Sequence, residues 1–211
     1  QDTAAALTMI PKHVPVACLQ NGVENEALVA ATHDTIAAMV WIMAVHLAPG
    51  EVALYASKCL GILDIGTLTG EPLVAQELAE LFCRAGFDSA LRQDIMPWKR
   101  AKLLGNLAGI FEIAIDGYDA KRAQALVAEG CAVLTKAKLP WTPMERFGER
   151  VKKAEHVPIQ GKNRPGGSLW QSKQRGSVSE AEYLNGYITR LGAMVGIPTP
   201  VNSQLLAQAK D

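Results

Sequence analysis

Short apolar runs separated by polar or glycine-containing turns make up the first part of the chain. Runs of this length that are rich in aliphatic residues predict strands, here over residues 14–19, 38–45, 51–56, 60–65 and 89–94. Apolar residues at helical spacing predict helices over residues 4–10, 24–31 and 71–86. The connections between the middle strands are short, which favours antiparallel hairpins over helical crossovers. We therefore predict an α/β domain over residues 1–95.

The pattern changes near residue 95, where helical periodicity replaces the strand patterns. Apolar stripes predict helices over residues 98–115 and 120–138. A later helix is expected to end at Gly196 and to begin with two overlapping capping boxes, formed by Ser177 with Glu180 and by Ser179 with Glu182. We therefore predict an all-α domain over residues 96–211.

Composition excludes several classes of function. The chain has 211 residues, 21 of them basic and 21 acidic, so its formal net charge is zero. It therefore has no basic excess with which to neutralise a nucleic-acid backbone. Its longest weakly charged stretch, residues 35–50, is shorter than the roughly 20 apolar residues of a membrane span. Widely spaced cysteines predict buried free thiols, no metal site and a reducing cytoplasm, and these cysteines are Cys18, Cys59, Cys83 and Cys131.

Lys102 and Asn106 are candidates for chemistry, because they lie four residues apart in a predicted helix and therefore share one face. A lysine beside a neutral amide can donate a proton to a ketone oxygen as that oxygen becomes an alkoxide. The alternative is a solvated helix face on which Lys99, Arg100 and Lys102 lie together. The residues alone favour this alternative.

A second polar group extends from a glycine-rich loop into the next helix, and consists of Ser168, Gln171, Glu180 and Asn185. The loop, residues 160–168, has the composition of a flexible segment. A serine there can bind a carboxylate, and a glutamate can accept hydrogen bonds from hydroxyl groups. Glu180 also fits a structural place in the first turn of a capped helix. Asn185 falls in the middle of that predicted helix, where asparagine is a poor helix former, so its side chain is expected to meet another group.

Asn21 follows the first predicted strand within the turn Gln20-Asn21-Gly22. Open α/β sheets bind their ligands at the carboxyl ends of strands, which makes Asn21 a candidate binding residue. Asn-Gly is also an ordinary turn dipeptide, so the purely structural interpretation stays open.

Taken together, these segments resemble the ketopantoate reductase (2-dehydropantoate 2-reductase) family. The matching segments are Leu-Gln-Asn-Gly-Val at residues 19–23, Pro-Trp-Lys-Arg-Ala-Lys-Leu-Leu-Gly-Asn-Leu at 97–107, Gly-Gly-Ser-Leu-Trp-Gln-Ser at 166–172, and residues 175–176, 180–186 and 196–202. Their order and spacing agree over nearly the whole chain, which is more specific than one short motif.

The resemblance implies a Rossmann-type domain that binds NADPH, of which residues 1–95 would be the C-terminal part. It also implies a helical substrate-binding and catalytic domain similar to that of 6-phosphogluconate dehydrogenases. Lys102 is then expected to protonate the keto oxygen as hydride arrives from NADPH. Asn106 and Ser168 are expected to bind the keto acid, and Asn185, which matches a family position, is grouped with them. Asn21 is expected to lie between cofactor and substrate, and Glu180 to contact the cofactor ribose.

The chain departs from the family pattern in two respects. The family usually has a second asparagine about one helical turn after the one matched by Asn106, where this chain has Gly109 and Ile110. The glycine fingerprint and the basic residues that select NADPH are expected upstream of Gln1.

The leading hypothesis is an NADPH-dependent reductase of ketopantoate, which yields pantoate for pantothenate and coenzyme A. One alternative is a reductase of another 2-keto or 3-hydroxy acid, suggested by Gly109 and Ile110. The other is an inactive helical fragment that binds a partner or a second copy of itself. A homodimer is expected in either case from the apolar content of the helical domain.

Overall fold

The chain forms two compact units. The computed structural model describes residues 2–113, 117–160, 166–174 and 180–209. The first unit comprises Gln1–Lys99 and Glu145–Arg164, and the second comprises Arg100–Met144 and Pro165–Asp211. All named strands of the described residues belong to the first unit, and the second is helical. The predicted α/β-then-α fold class is therefore confirmed.

The first unit begins with alternating helices and strands. In chain order these are α1 (Asp2–Leu7), β1 (Val16–Cys18), α2 (Asn25–Ala30), β2 (Thr35–Trp41), β3 (Ala44–Ala48), β4 (Glu51–Leu54), β5 (Ile62–Thr67) and α3 (Pro72–Arg84). β1 and β2 pair in parallel and are joined through α2, the crossover that parallel strands need. β5 pairs antiparallel with β2, and β3 and β4 form a separate antiparallel pair. The expected antiparallel hairpin is thereby confirmed for β3 and β4, whereas the one expected between β4 and β5 is wrong, because these two strands belong to different sheets.

Two strand predictions are wrong. The apolar run over residues 38–45 is two strands, because β2 ends at Trp41 and pairs with β5 whereas β3 starts at Ala44 and pairs with β4. Residues 89–94 form no strand, and the backbone pairing of this segment with β5 is an isolated parallel bridge between Leu91 and Ile65. Here Arg92 turns its guanidinium back to the sheet, where it donates to an aspartate of β5.

The remaining elements are helical. They are α4 (Met96–Asn106), α5 (Ala120–Lys136), α6 (Met144–Val151), α7 (Ser168–Gln174), α8 (Asn185–Val195) and α9 (Pro200–Gln208), with 3₁₀ helices at Leu107–Glu112 and Glu180–Tyr183. The apolar patterns predict α5 closely, but they predict neither α6 nor α7, which are shorter than three helical turns. The predicted boundary at residue 95 also differs from the division into units, since almost all of α6 belongs to the first unit.

The helix that was expected to start near residue 177 begins later. An irregular backbone at Leu184, with φ −107° and ψ −85°, separates the 3₁₀ helix from α8. Asn185 is consequently the first residue of α8 and does not lie in mid-helix, and Glu180 lies in the 3₁₀ helix. Gly196 ends α8 in the left-handed conformation, with φ +73°, as predicted. Ser177, Ser179 and residues 161–165 of the loop lie outside the described residues.

The core of the first unit lies between the sheet and α3. Its central members come from β2, β5 and α3, and are Ile36, Ala38, Ile65, Ala75 and Ala79. α3 begins with Pro72 in its first turn, where the fixed φ of proline favours the helix. This confirms the helix predicted after Glu71.

A buried aspartate explains why α6 belongs to the first unit. Asp64 on β5 is 0% exposed, and its carboxylate accepts hydrogen bonds at 2.6 Å from Arg150 of α6 and at 2.6 Å from Arg92. Arg150 also donates to Asp88 at 2.8 Å. This hydrogen bond holds the pKa of Asp88 below its ordinary value. Burial alone would lower the pKa of Arg150, but its hydrogen bonds to Asp64 and Asp88 outweigh burial and raise that pKa.

We expect Asp64→Ala to lower the free energy of unfolding by about 3 kcal/mol or more, because it leaves the buried Arg150 guanidinium without its main counter-charge. Denaturant unfolding monitored by circular dichroism measures the change. Glu155→Ala is the matched control, since Glu155 pairs with Lys58 at 3.0 Å on the surface and should contribute less than about 1 kcal/mol. Equal effects of the two substitutions would contradict this assignment.

Candidate active site

Lys102 and Asn106 lie on α4, as the sequence pattern predicts. Both are half-buried, and their four-residue spacing places them on one face of that helix. Asn106 is the last residue of α4, and the 3₁₀ helix starts immediately after it. An ammonium and an amide are therefore neighbours at the C-terminal end of one helix, where both can donate hydrogen bonds to an oxygen.

Lys99 is not part of a solvated helix face. Its side chain is 3% exposed, and its Nζ lies 2.6 Å from Oε1 of Glu26. The same Nζ donates to the backbone carbonyls of Gln20 and Ala38, each at 3.0 Å. The expectation that Lys99, Arg100 and Lys102 lie together in solvent is therefore wrong for Lys99. Sequence reasoning missed this group because a cluster of basic residues gives no sign that one of them finds a buried carboxylate.

The Asn21 turn, residues 20–22, follows β1 at the carboxyl end of the parallel pair β1–β2. Asn21 is half-buried, and Gly22 has φ +83°, a conformation that glycine adopts without strain. Cys18, the last residue of β1, is buried. Burial, together with the nearby Glu26 carboxylate and against the effect of Lys99, raises the pKa of its thiol to about 11. This thiol is therefore protonated and unreactive near neutral pH.

Ser168 is the first residue of α7 and is half-buried. The start of α7 is held by Glu112, whose carboxylate accepts from the backbone N–H of Gly167 at 2.9 and 3.0 Å. Lys173 adds a hydrogen bond to the carbonyl of Ile113 at 3.3 Å. Ser168 thus lies at the N-terminal end of α7, which packs on the 3₁₀ helix that follows Asn106. The sequence analysis did not single out Glu112, because its partner is a backbone N–H that no side-chain pattern indicates.

Asn185 lies inside the second unit. It is 0% exposed, and its Nδ2 donates to the carbonyl of Leu107 at 3.2 Å and to Oδ1 of Asn202 at 3.0 Å. Asn202 in turn donates to Glu129 at 2.7 Å. The side chain of Asn185 therefore contacts other polar groups, as expected, and these groups belong to the protein. Its assignment to the substrate stays a prediction, as does the contact of the half-buried Glu180 with a cofactor ribose.

Gly109 and Ile110 follow Asn106 by about one helical turn, where the family pattern is expected to have a second asparagine. Ile110 is the larger of the two residues. Its side chain is 0% exposed and belongs to the core of the second unit. Gly109 beside it is close to Leu169 of α7, whose Cδ1 would lie 3.2 Å from an added Cβ. This part of the second unit is therefore apolar and closely packed.

In the described part of the chain, no cluster of three acidic, histidine or cysteine side chains is arranged to bind a metal ion. The helices described there are also too short or too polar to cross a membrane.

Comparison with known proteins decides the family. The family described as "Ketopantoate reductase PanE/ApbA C terminal" matches residues 94–211, more than half of the chain. The chain belongs to the ketopantoate reductase family. A curated relative, the 2-dehydropantoate 2-reductase of Pyrococcus horikoshii, is 28% identical over 209 residues, which are 92% of this chain and 66% of that relative. The chain thus spans just under two thirds of that enzyme.

Solved structures agree on the fold. A PanE/ApbA family ketopantoate reductase from Ralstonia eutropha has a TM-score of 0.74 at 26% identity, and the match covers 99% of this chain and 71% of that one. A D-mandelate dehydrogenase in complex with NADH has a TM-score of 0.75 at 21% identity, over 99% of this chain and 73% of that one. The fold of the family thus extends over both units of the chain.

We expect Asn185→Ala to lower the free energy of unfolding by about 1–3 kcal/mol, because the buried carbonyl of Leu107 and Oδ1 of Asn202 both lose their donor. Denaturant unfolding measures the loss. Gln76→Ala is the control, since Gln76 makes an exposed hydrogen bond to Glu80 and should change stability by less than about 0.5 kcal/mol. Wild-type stability of Asn185→Ala would contradict a structural role and favour a role in substrate binding.

Proposed function

We propose that the intact protein reduces ketopantoate to pantoate with NADPH as the hydride donor. The observation that supports this most is the placement of Lys102 and Asn106 on one face of α4, in a chain that belongs to the ketopantoate reductase family. A primary ammonium beside an amide suits the protonation of a ketone oxygen and the binding of the carboxylate next to it.

In this proposal, Lys102 donates its proton to the keto oxygen as the carbonyl carbon accepts a hydride, so the ketone becomes a secondary alcohol and Lys102 is left neutral. Proton transfer from solvent then restores its charge. Asn106 and Ser168 donate hydrogen bonds that hold the substrate. Donors that are already oriented by α4 and α7 stabilise the developing oxyanion without reorganisation during the reaction.

The first unit has features that fit a dinucleotide cofactor. The Asn21 turn lies at the carboxyl end of the parallel strands β1 and β2, where α/β sheets bind nucleotides. In the proposed assignment, Asn21 contacts the nicotinamide end and Glu180 the ribose. When bound, NADPH supplies the hydride. The choice of NADPH over NADH is part of the proposal and derives from the family resemblance alone.

A second candidate is the reduction of a 2-keto acid with a more apolar side chain. The specific observation that favours it is that Gly109 and Ile110 follow Asn106 where the family pattern has a second asparagine, so this turn supplies no amide that could hydrogen-bond a hydroxylated substrate. A D-mandelate dehydrogenase has a similar fold, and one fold can host reactions on different substrates.

Two further expectations stay predictions. Assembly as a homodimer follows from the apolar character of the helical part of the sequence, and a cytoplasmic location follows from the dispersed, unpaired cysteines. Sedimentation of the purified protein and fractionation of cells that express it test them separately.

We expect Lys102→Ala to lower kcat/KM for keto acid reduction by a factor on the order of 10² or more in the intact protein, because the reaction loses its proton donor. Oxidation of NADPH, followed by its absorbance, measures the rate. Lys121→Ala removes an exposed lysine of α5 and serves as the matched control, for which wild-type kcat/KM is expected. Unchanged turnover in Lys102→Ala would reject Lys102 as the proton donor.

We expect ketopantoate to have the highest kcat/KM in a panel that also contains aliphatic and aromatic 2-keto acids without a hydroxyl group. Initial rates at several concentrations of each acid, with NADPH in excess, give the comparison. A higher kcat/KM for an apolar keto acid would favour the second candidate. If the intact protein binds NADPH but reduces none of these acids, both candidate functions fail.

A further inference from the structure

The buried pair Lys99–Glu26 has no role in the chemistry proposed above. Glu26 is 1% exposed and Lys99 is 3% exposed. Apart from the 2.6 Å contact with Lys99, neither carboxylate oxygen of Glu26 has a hydrogen-bond partner among the described residues. Removing two charges from water costs several kcal/mol per ion, and a well-packed apolar pair often gives equal or better stability. A contribution to the stability of the fold therefore does not by itself explain why these two buried residues are charged.

The contacts of Lys99 indicate what the pair does instead. Gln20, whose carbonyl accepts from Lys99, is the residue directly before Asn21. Glu26 lies in the first turn of α2, a few residues after Asn21. Lys99 thus bonds to both ends of the short segment that contains Asn21. Its third contact, to the carbonyl of Ala38, fixes the ammonium to the middle of β2.

An apolar pair could fill the same space but could not hold this segment. Only a donor can bond to the Gln20 carbonyl, and the Lys99 ammonium donates both to it and to the Ala38 carbonyl while it lies 2.6 Å from Oε1 of Glu26. The Glu26 carboxylate is the counter-charge of this buried ammonium. Together the two charges fix the point at which β1 ends and α2 begins.

We propose that Lys99 and Glu26 are positioning residues that hold the Asn21 turn in its ligand-binding arrangement. The proposal deepens the proposed function, because it assigns to this pair the orientation of the residue expected between cofactor and substrate. Neither side chain takes part in the reaction, and both act through the backbone around Asn21.

The test replaces the pair by the isosteric apolar double variant Lys99→Met/Glu26→Leu in the intact protein. The melting temperature, hydrogen exchange at the amides of Gly22 and Val23, and kcat/KM are measured on the same samples. We expect the double variant to keep its melting temperature within a few degrees, to exchange at these amides at least tenfold faster, and to lose tenfold or more in kcat/KM. A misplacement of about 1 Å near reacting groups is enough for losses of this size.

The matched control is Lys58→Met/Glu155→Leu, which removes the exposed ion pair of the same unit and should leave all three measurements unchanged. If Lys99→Met/Glu26→Leu keeps wild-type exchange and wild-type kcat/KM, the pair is a packing feature and the proposal is overturned.

Glu26→Gln decides the question if the double variant does not fold. Its amide oxygen can still accept from Lys99, but the negative charge is gone, so we expect faster exchange at Gly22 and Val23 and a higher KM for NADPH. Wild-type exchange in this variant would overturn the proposal. Hydrogen exchange does not depend on turnover, so an inactive wild-type protein would count against the proposed function without obscuring this result.

Discussion

A charged side chain that is buried needs an oppositely charged partner, and this constraint determines which distant segments of the first unit are in contact. Asp64 on the sheet requires cations, and Arg92 and Arg150 supply them from segments far apart in sequence. Arg150 thereby connects α6 to β5, a strand that ends some eighty residues earlier in the sequence. Lys99 and Glu26 follow the same rule where β1 leads into α2. Each pair forms only when the chain around it is in place, so the pairs link local folding to the overall arrangement of this unit.

Amide groups have the corresponding role in the second unit. Asn185 and Asn202 link α8 and α9 to each other and to the carbonyls of Leu107 and Leu126, and Glu129 accepts from the first backbone N–H groups of α9. A carboxylate at that position satisfies donors that the start of a helix leaves unpaired. Polar residues in this unit therefore include an inner group that holds helices together and the half-buried Lys102 and Asn106, to which the proposed function assigns the chemistry.

Periodicity along the chain was sufficient to predict the α/β part, the helical part, α5 and the end of α8 at Gly196, because these depend on local spacing and on the backbone freedom of one glycine. Periodicity was not sufficient where a residue far away in the sequence determines how a segment pairs or which side chain is buried. The run over residues 38–45 reads as one strand, and only the separate partners of β2 and β3 divide it. Lys99 likewise resembles its basic neighbours until Glu26, Gln20 and Ala38 surround it. The types and spacing of Lys102, Asn106 and Ser168 make them candidates but also fit a solvated surface, so the roles expected of them derive from the family resemblance.

The direction in which the side chain of Ile110 points depends on the kind of helix that follows Asn106. In a continuous α-helix, residue 110 would lie one turn after Asn106 and on the same face, so an isoleucine there would remove a polar group from the site. The α-helix ends at Asn106, however, and residues Leu107–Glu112 form a 3₁₀ helix. A 3₁₀ helix has three residues per turn, which turns residue 110 away from the direction of Asn106 and aligns it with Leu107. Both Leu107 and Ile110 are fully buried. An asparagine at residue 110 would accordingly place an amide in the apolar core, so the substitution Ile110→Asn alone would not supply the missing hydrogen-bonding group to the candidate site; the lack of that group is a property of the whole turn that follows Asn106.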